Sequence, residues 1–257
     1  MKLASYADGS RDGHLVIVSR DLTQAHFASG IATRLQQVLD DWGFIAPQLE
    51  DLAVQLHHGR LRHAFAFEPK KCLAPLPRAY GWAVVDAAGG VRRECGQFAS
   101  PHQPLRSPAA AEPSLAAITG DVPAASDAAS ALDALRLLTL AIDWRLDGDL
   151  LATHCAPLAV TPDELGPAWQ AGRMQAQLHV MHNGTKQDPR DAAASPGEAL
   201  ARLARLRPLR AGQVAGAALG ALGLSLAPGD SLHLDLKTAA GTSLFGAIDI
   251  DLAPPAA

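Results

Sequence analysis

Aromatic residues make up only 5% of this 257-residue chain, and its three cysteines are widely spaced. Without an even set or a Cys-x-x-Cys motif, Cys72, Cys95 and Cys155 read as reduced thiols of a cytoplasmic protein, not as a disulfide frame. An excess of one charge is also missing: 22 Lys+Arg stand against 26 Asp+Glu, a net charge of −4, with no basic run. Nucleic-acid binding leans on clustered Lys and Arg, so no such partner is expected. The opening Met-Lys-Leu-Ala-Ser-Tyr-Ala-Asp-Gly meets charge too early to hold the apolar region of a signal peptide. Residues 211–229 are uncharged, but Gly, Gln, Ser and Pro break them up; they read as two short buried strands with a turn, not a membrane span.

What the chain does have is an organising stretch, residues 112–144. The apolar run 115–118 is broken by Thr119-Gly120-Asp121, as a buried strand would be. Ser126 can cap a helix beginning near Asp127, and Ala128, Leu132, Leu135 and Leu138 recur at helical spacing. A second apolar run leads to Asp143-Trp144. Strand, turn, helix and strand, with Glu112 at the first strand's entry and Asp143 at the second's exit, can bring two distant acids together. Spacing leaves Asp143 two readings, a turn residue or a cation ligand.

Before this unit, Lys2 to Tyr6 and Leu15 to Val18 read as a hairpin. One helix is expected over about 30–42, and a second from Pro47, a residue suited to a first helical turn, to a solvated end at His57-His58. Pro75 and Pro77 force an extended connector. Residues 81–111 offer one strand candidate, Ala83-Val84-Val85, and one histidine, His102, in loop-like Ser-Pro-His-Gln-Pro. Beyond the unit, His154 and Cys155 are neighbours that would point to opposite faces of a strand, which makes Cys155 a core residue. A strand over 175–181 ends at an Asn183-Gly184 turn. A helix from Ser195 through Leu203 and Leu206 shows a basic face, and 243–250 reads as the closing strand.

Several phrases carry a family resemblance: Glu112-Pro-Ser114, Thr119-Gly120-Asp121, Asp143-Trp144, Leu15-Val-Ile-Val-Ser-Arg-Asp-Leu22, Ala74-Pro-Leu-Pro-Arg-Ala-Tyr80, and the run from Ala156-Pro-Leu-Ala-Val to Gly166. Together they resemble the fumarylacetoacetate hydrolase family in its bacterial two-domain form. The resemblance implies an α+β fold: a small N-terminal domain over 1–70, a connector and shortened loop region over 71–111, and a mostly β, rolled-sheet domain over 112–257. It also implies a homodimer, for which the apolar stretch 214–226 supplies a second reason.

By the same resemblance, Mg2+ or Ca2+ would be held by Glu112, Asp143 and Asp86, and His102 is the available candidate for the family's general base. The activity implied is metal-assisted hydrolysis of a carbon–carbon bond in a small β-diketo or 2-oxo acid, as in aromatic amino acid catabolism. That chemistry needs a cation, a base and a donor for the leaving carbanion. The chain departs from the pattern. The second Glu of the family's pair falls on Ser114, its Lys on Leu150, and Gly216-Ala-Ala-Leu219 has no Thr for its substrate loop. Two readings follow: a hydrolase working through a reduced site, or a non-catalytic relative serving as a binding or dimerisation module.

Overall fold

The computed structural model describes residues 1–253. Strands β1 (Lys2–Tyr6) and β2 (His14–Val18) form the expected hairpin, continued by β3 (Gln24–Phe27) and β4 (Phe65–Ala66). Between β3 and β4 lie α1 (Leu35–Asp40) and α2 (Trp42–His57). The helix expected over 30–42 is therefore mostly turn plus α1, because Asp41 at φ −135°, ψ 55° breaks it. Pro47 sits inside α2, not in its first turn; its ring nitrogen leaves the Gly43 carbonyl without the usual helical donor.

Strands β5 (Gly81–Val85), which contains the expected Ala83-Val84-Val85, and β6 (Val91–Glu94), which was not expected, form a hairpin. The organising unit follows as β7 (Ala109–Thr119), α3 (Ala128–Asp133) and β8 (Leu135–Leu146), then β9 (Asp149–Cys155) and β10 (Ala159–Val160). Its order is as expected, but Leu135 and Leu138 belong to β8 and not to the helix. Both faces of β8 are buried, so its apolar residues run on without a clear period and mimic helical spacing. The helix cap is Asp127, whose carboxylate accepts the Ser130 N–H, while the Ser126 hydroxyl donates to the Pro123 carbonyl.

The chain closes with β11 (Trp169–Gln170), β12 (Arg173–His182), β13 (Thr185–Lys186), β14 (Arg190–Ala194), α4 (Pro196–Ala204), β15 (Gln213–Ala218), β16 (Ser225–Leu226), β17 (Ser231–Lys237) and β18 (Ile248–Asp251). Helix α4 stops short of Leu206, which is exposed. The closing strand begins only at Ile248, because the Ser243 hydroxyl accepts the Gly246 N–H in a turn where Gly246 has φ 76°.

Twelve strands form one sheet in the order β4-β3-β2-β1-β10-β8-β7-β15-β5-β6, with β9 added to β8 and β16 to β7. A six-stranded sheet runs β11-β12-β17-β18, with β13 and β14 on β12. Among the named strands of the described residues only β5 and β15 pair in parallel, so the architecture is α+β and mostly antiparallel, as expected. Lys2 and Leu3 pair with Val160 and Ala159, so the N-terminal strands share a sheet with the larger part of the chain. One face of this sheet packs Leu115, Leu140 and Trp144 toward Leu178 and Leu234 of the second sheet. The other packs Leu3, Ile17 and Trp82 with Leu39 and Leu49 of α1 and α2. Strand β15 lies between β7 and β5, and Val214, Ala215, Leu222 and Leu226 are all buried. Elsewhere in the apolar stretch 214–226, Gly220, Ala221, Gly223 and Ser225 are exposed. No helix among the described residues is long and apolar enough to cross a membrane.

Candidate functional site

Antiparallel pairing places Glu112 of β7 directly opposite Asp143 of β8, and Asp143 directly opposite Thr153 of β9. Opposed residues point the same way, so the three side chains form a ladder across the helix-covered face. Arg145 follows two residues after Asp143, and a bulge between Trp144 and Arg145 adjusts its direction. From the far side of the sheet, β6 contributes Arg92 and Glu94.

These residues close around one guanidinium. Arg145 Nε donates to Glu112 Oε2 at 3.2 Å, its Nη2 to Asp143 Oδ2 at 3.3 Å and to Glu94 Oε1, and its Nη1 to the Gly148 carbonyl at 3.0 Å. Arg92 Nη2 also donates to Glu112 Oε2, at 2.6 Å. The other Asp143 oxygen accepts from Thr153 Oγ1 at 2.6 Å and from Trp82 Nε1 at 3.0 Å. Only 2% of the Asp143 side chain and 9% of the Arg145 side chain are exposed. Burial pushes the Asp143 carboxyl above its ordinary value, against the bonds from Thr153 and Trp82 and the Arg145 charge. Burial alone would lower Arg145, but Glu94, Asp143 and Glu112 outweigh it and hold the guanidinium more firmly charged.

Trp82 reaches Asp143 because a small residue stands in its way. Its own strand, β5, is separated from β7 by β15, where Gly216 lies between Val84 and Ala116. A Cβ on Gly216 would sit 2.5 Å from the indole Cη2. Glycine leaves room for the ring against β15.

Three converging carboxylates suggest a divalent ion, which in the case of Mg2+ asks for oxygens in octahedral array at about 2.0–2.1 Å. Here a permanently charged guanidinium lies between them, and both Asp143 oxygens, Glu112 Oε2 and Glu94 Oε1 already accept hydrogen bonds. Among the described residues no group of three or more His, Cys, Asp or Glu side chains is arranged to hold a metal ion. This donor set fits an internal cation. It does not fit a metal beside Arg145.

The other sequence candidates lie elsewhere. Asp86 Oδ1 accepts the Ala88 and Gly90 N–H groups in the β5–β6 turn, four residues and roughly 13 Å along the strand from Trp82. The third acid of the cluster is Glu94. His102 Nδ1 lies 3.7 Å from Asp249 Oδ2, whose Oδ1 is 2.6 Å from His233 Nδ1, and His102 Nε2 is buried without a partner. None of these contacts joins Glu112 or Asp143. His154 and Cys155 do point apart: the His154 ring lies edge-on to Trp144, while Cys155 packs with Ala141 and Trp82 on the other face. Burial pushes the His154 imidazole down to about 4 and the Cys155 thiol well up, so the pair makes no thiolate nucleophile. Arg145 and Glu94 are not among the sequence candidates. Alternation points to Arg145, two residues from Asp143, whereas Glu94 joins the cluster through the order of the strands.

Residues 1–78 match the family model described as fumarylacetoacetase N-terminal domain 2. No curated protein matches the sequence significantly. Among solved structures, the maleylpyruvate hydrolase from Sphingobium sp. SYK-6, in complex with manganese(II) and pyruvate, is similar at TM-score 0.74 and 15% identity, covering 100% of each chain. The fumarylacetoacetate hydrolase from psychrophilic Exiguobacterium antarcticum gives 0.71 and 15% over 99% of each chain. A 2-hydroxyhepta-2,4-diene-1,7-dioate isomerase from Mycobacterium marinum gives 0.63 and 12%, covering 99% of this chain and 98% of that one. At these identities the likeness is one of fold, and it runs the length of the chain. The first 78 residues are thus similar to a fumarylacetoacetase N-terminal domain, and the whole chain has the fold of solved fumarylacetoacetate hydrolases.

Proposed function

We propose that this chain is a non-hydrolytic relative on the fumarylacetoacetate hydrolase fold, in which Arg145 acts as the resident cation and the scaffold serves binding. The observation that carries this reading is the bonding of one guanidinium to Glu94, Glu112 and Asp143 together. A guanidinium can neutralise carboxylates, but it lacks the open coordination positions through which a metal polarises substrate oxygens. Among the described residues only Arg, Thr and Trp side chains donate to Glu94, Glu112 and Asp143, and Leu150 stands where the resemblance would put a lysine; both favour this reading.

The second reading is metal-assisted hydrolysis of a small β-diketo or 2-oxo acid, with Arg145 swung aside. The manganese and pyruvate of the Sphingobium enzyme favour it, and make Mn2+ as well as Mg2+ and Ca2+ the ions to test. Calorimetry with each ion at millimolar concentration, followed by turnover assays on acylpyruvate-type acids, separates the two. The non-hydrolytic reading expects no saturable heat and no turnover above buffer. Metal-dependent turnover that Asp143→Asn abolishes would overturn it.

A further inference from the structure

A cleft of about 1030 Å3 opens on the face of the large sheet opposite Arg145. The short turn Pro162–Ala168, strands β12 and β14, and the 238–244 loop wall it in. Much of the wall is apolar, including Ala168, Ala192 and Leu244; the Gln177 amide and Thr242 hydroxyl are polar points, and Arg20, Asp163, Glu164 and Asp191 bring charge. Into this cleft Lys2 projects from β1, on the same side of the strand as Ala4 and Tyr6.

We propose that the cleft binds a small carbonyl compound, a 2-oxo acid or an aldehyde, which Lys2 captures as an imine. Lys2 is 5% exposed, and among the described residues its ammonium donates to the Leu244 carbonyl at 3.5 Å, the outer limit of such a bond. The nearby carboxylate of Glu164 is engaged elsewhere, by Arg20 at 3.1 Å and the Met1 amino group at 3.2 Å. Desolvation lowers the proton affinity of Lys2, Glu164 opposes that, and the Arg20 charge adds to it. A lysine whose hold on its proton is weakened in a largely apolar cleft, beside another cation, is the better nucleophile toward carbonyl carbon.

The step balances within the cleft. The Nζ lone pair forms a C–N bond to the carbonyl carbon, and the C=O π pair moves to oxygen. The carbinolamine then loses that oxygen with the two amine protons as water, leaving C=N. No oxidant or reductant takes part. The Gln177 amide and Thr242 hydroxyl supply donors for the carboxylate of an oxo acid. This site is independent of the Arg145 cluster and stands or falls without it.

The test is reductive trapping on the full chain. Pyruvate, and separately butanal, is added with sodium cyanoborohydride at neutral pH, and the modified lysine is mapped by peptide mass analysis after an Asp-directed protease. The expected result is a single adduct on Lys2, ahead of the exposed Lys70, Lys71 and Lys186, and its loss in Lys2→Arg. The same mapping in urea needs no variant and should abolish the preference for Lys2, because an unfolded chain treats its lysines alike. Labelling spread evenly over the exposed lysines of the folded chain, labelling confined to the Met1 amino group, or no labelling would each overturn the assignment.

Discussion

Arg145 and His154 are buried bases nine residues apart, and Lys2 is a third; the fold treats the first unlike the other two. Arg145 faces three carboxylates, and its charge is held more firmly than usual. His154 and Lys2 hydrogen-bond to carbonyls, of Gln103 and Leu244; Glu164 lies near Lys2, but burial outweighs it, and both bases lose proton affinity. A carbonyl dipole does not repay the desolvation of a cation, whereas converging carboxylates can. Burial therefore does not decide which base stays charged. The partner does.

The most severe way to break this contrast is Arg145→Ala, which leaves three acids facing one another. A loss of about 3–5 kcal/mol is expected in urea denaturation at neutral pH, the range for removing one partner of a buried ion pair. The same variant should show a rise in melting temperature with millimolar Mn2+ where the parent is expected to show none. No rise would mean that the three carboxylates cannot form a cation site even when vacated.

His154 sharpens the other side of the contrast. Its folded value of about 4 lies below the ordinary 6.5, so the unfolded chain takes up the proton first. Stability from its neutral burial is complete above pH 6.5 and is lost as pH falls toward 4. The loss should reach roughly 3 kcal/mol. Denaturation at stepped pH should show that slope in the parent and a flatter one in His154→Gln.

Two smaller changes follow. Trp82→Phe keeps most of the ring but removes the N–H from a buried Asp143 oxygen; about 1–3 kcal/mol is expected, since the acceptor stays desolvated. Lys2→Met keeps the stem and deletes a poorly partnered charge, so it should alter stability by less than about 1 kcal/mol. It should also flatten the parent's rise in stability as pH climbs through the lowered Lys2 value, where only the unfolded chain still holds the proton. A Lys2→Met loss as large as that of Arg145→Ala would erase the contrast.

The sequence displayed part of this. Glu112 and Asp143 could be paired in advance because strand, turn, helix and strand return the chain beside its start, and the pairing is direct. The apolar β8 was harder to read. Leu135 and Leu138 satisfy a helical spacing, and burial on both faces removes the alternation that would have marked a strand. Arg145 could have been read from its place two residues after Asp143, whereas Glu94 could not be assigned to the cluster without the β5–β15–β7 strand order. His102 meets Asp249 through contacts between distant parts of the chain, which no local pattern announces. Sequence periodicity tells a residue which way to point. It does not tell it whom it will meet.

The absent side chain of Gly216 has an optical consequence. By letting the Trp82 indole donate to Asp143, it couples one of the four tryptophans to the buried Asp143–Arg145 pair. Trp144, whose indole nitrogen has no partner, offers a contrasting chromophore on the opposite face of the same sheet. Emission from the native chain, compared with that of Trp82→Phe, thereby becomes a gauge of the Asp143–Arg145 pair that needs no attached probe.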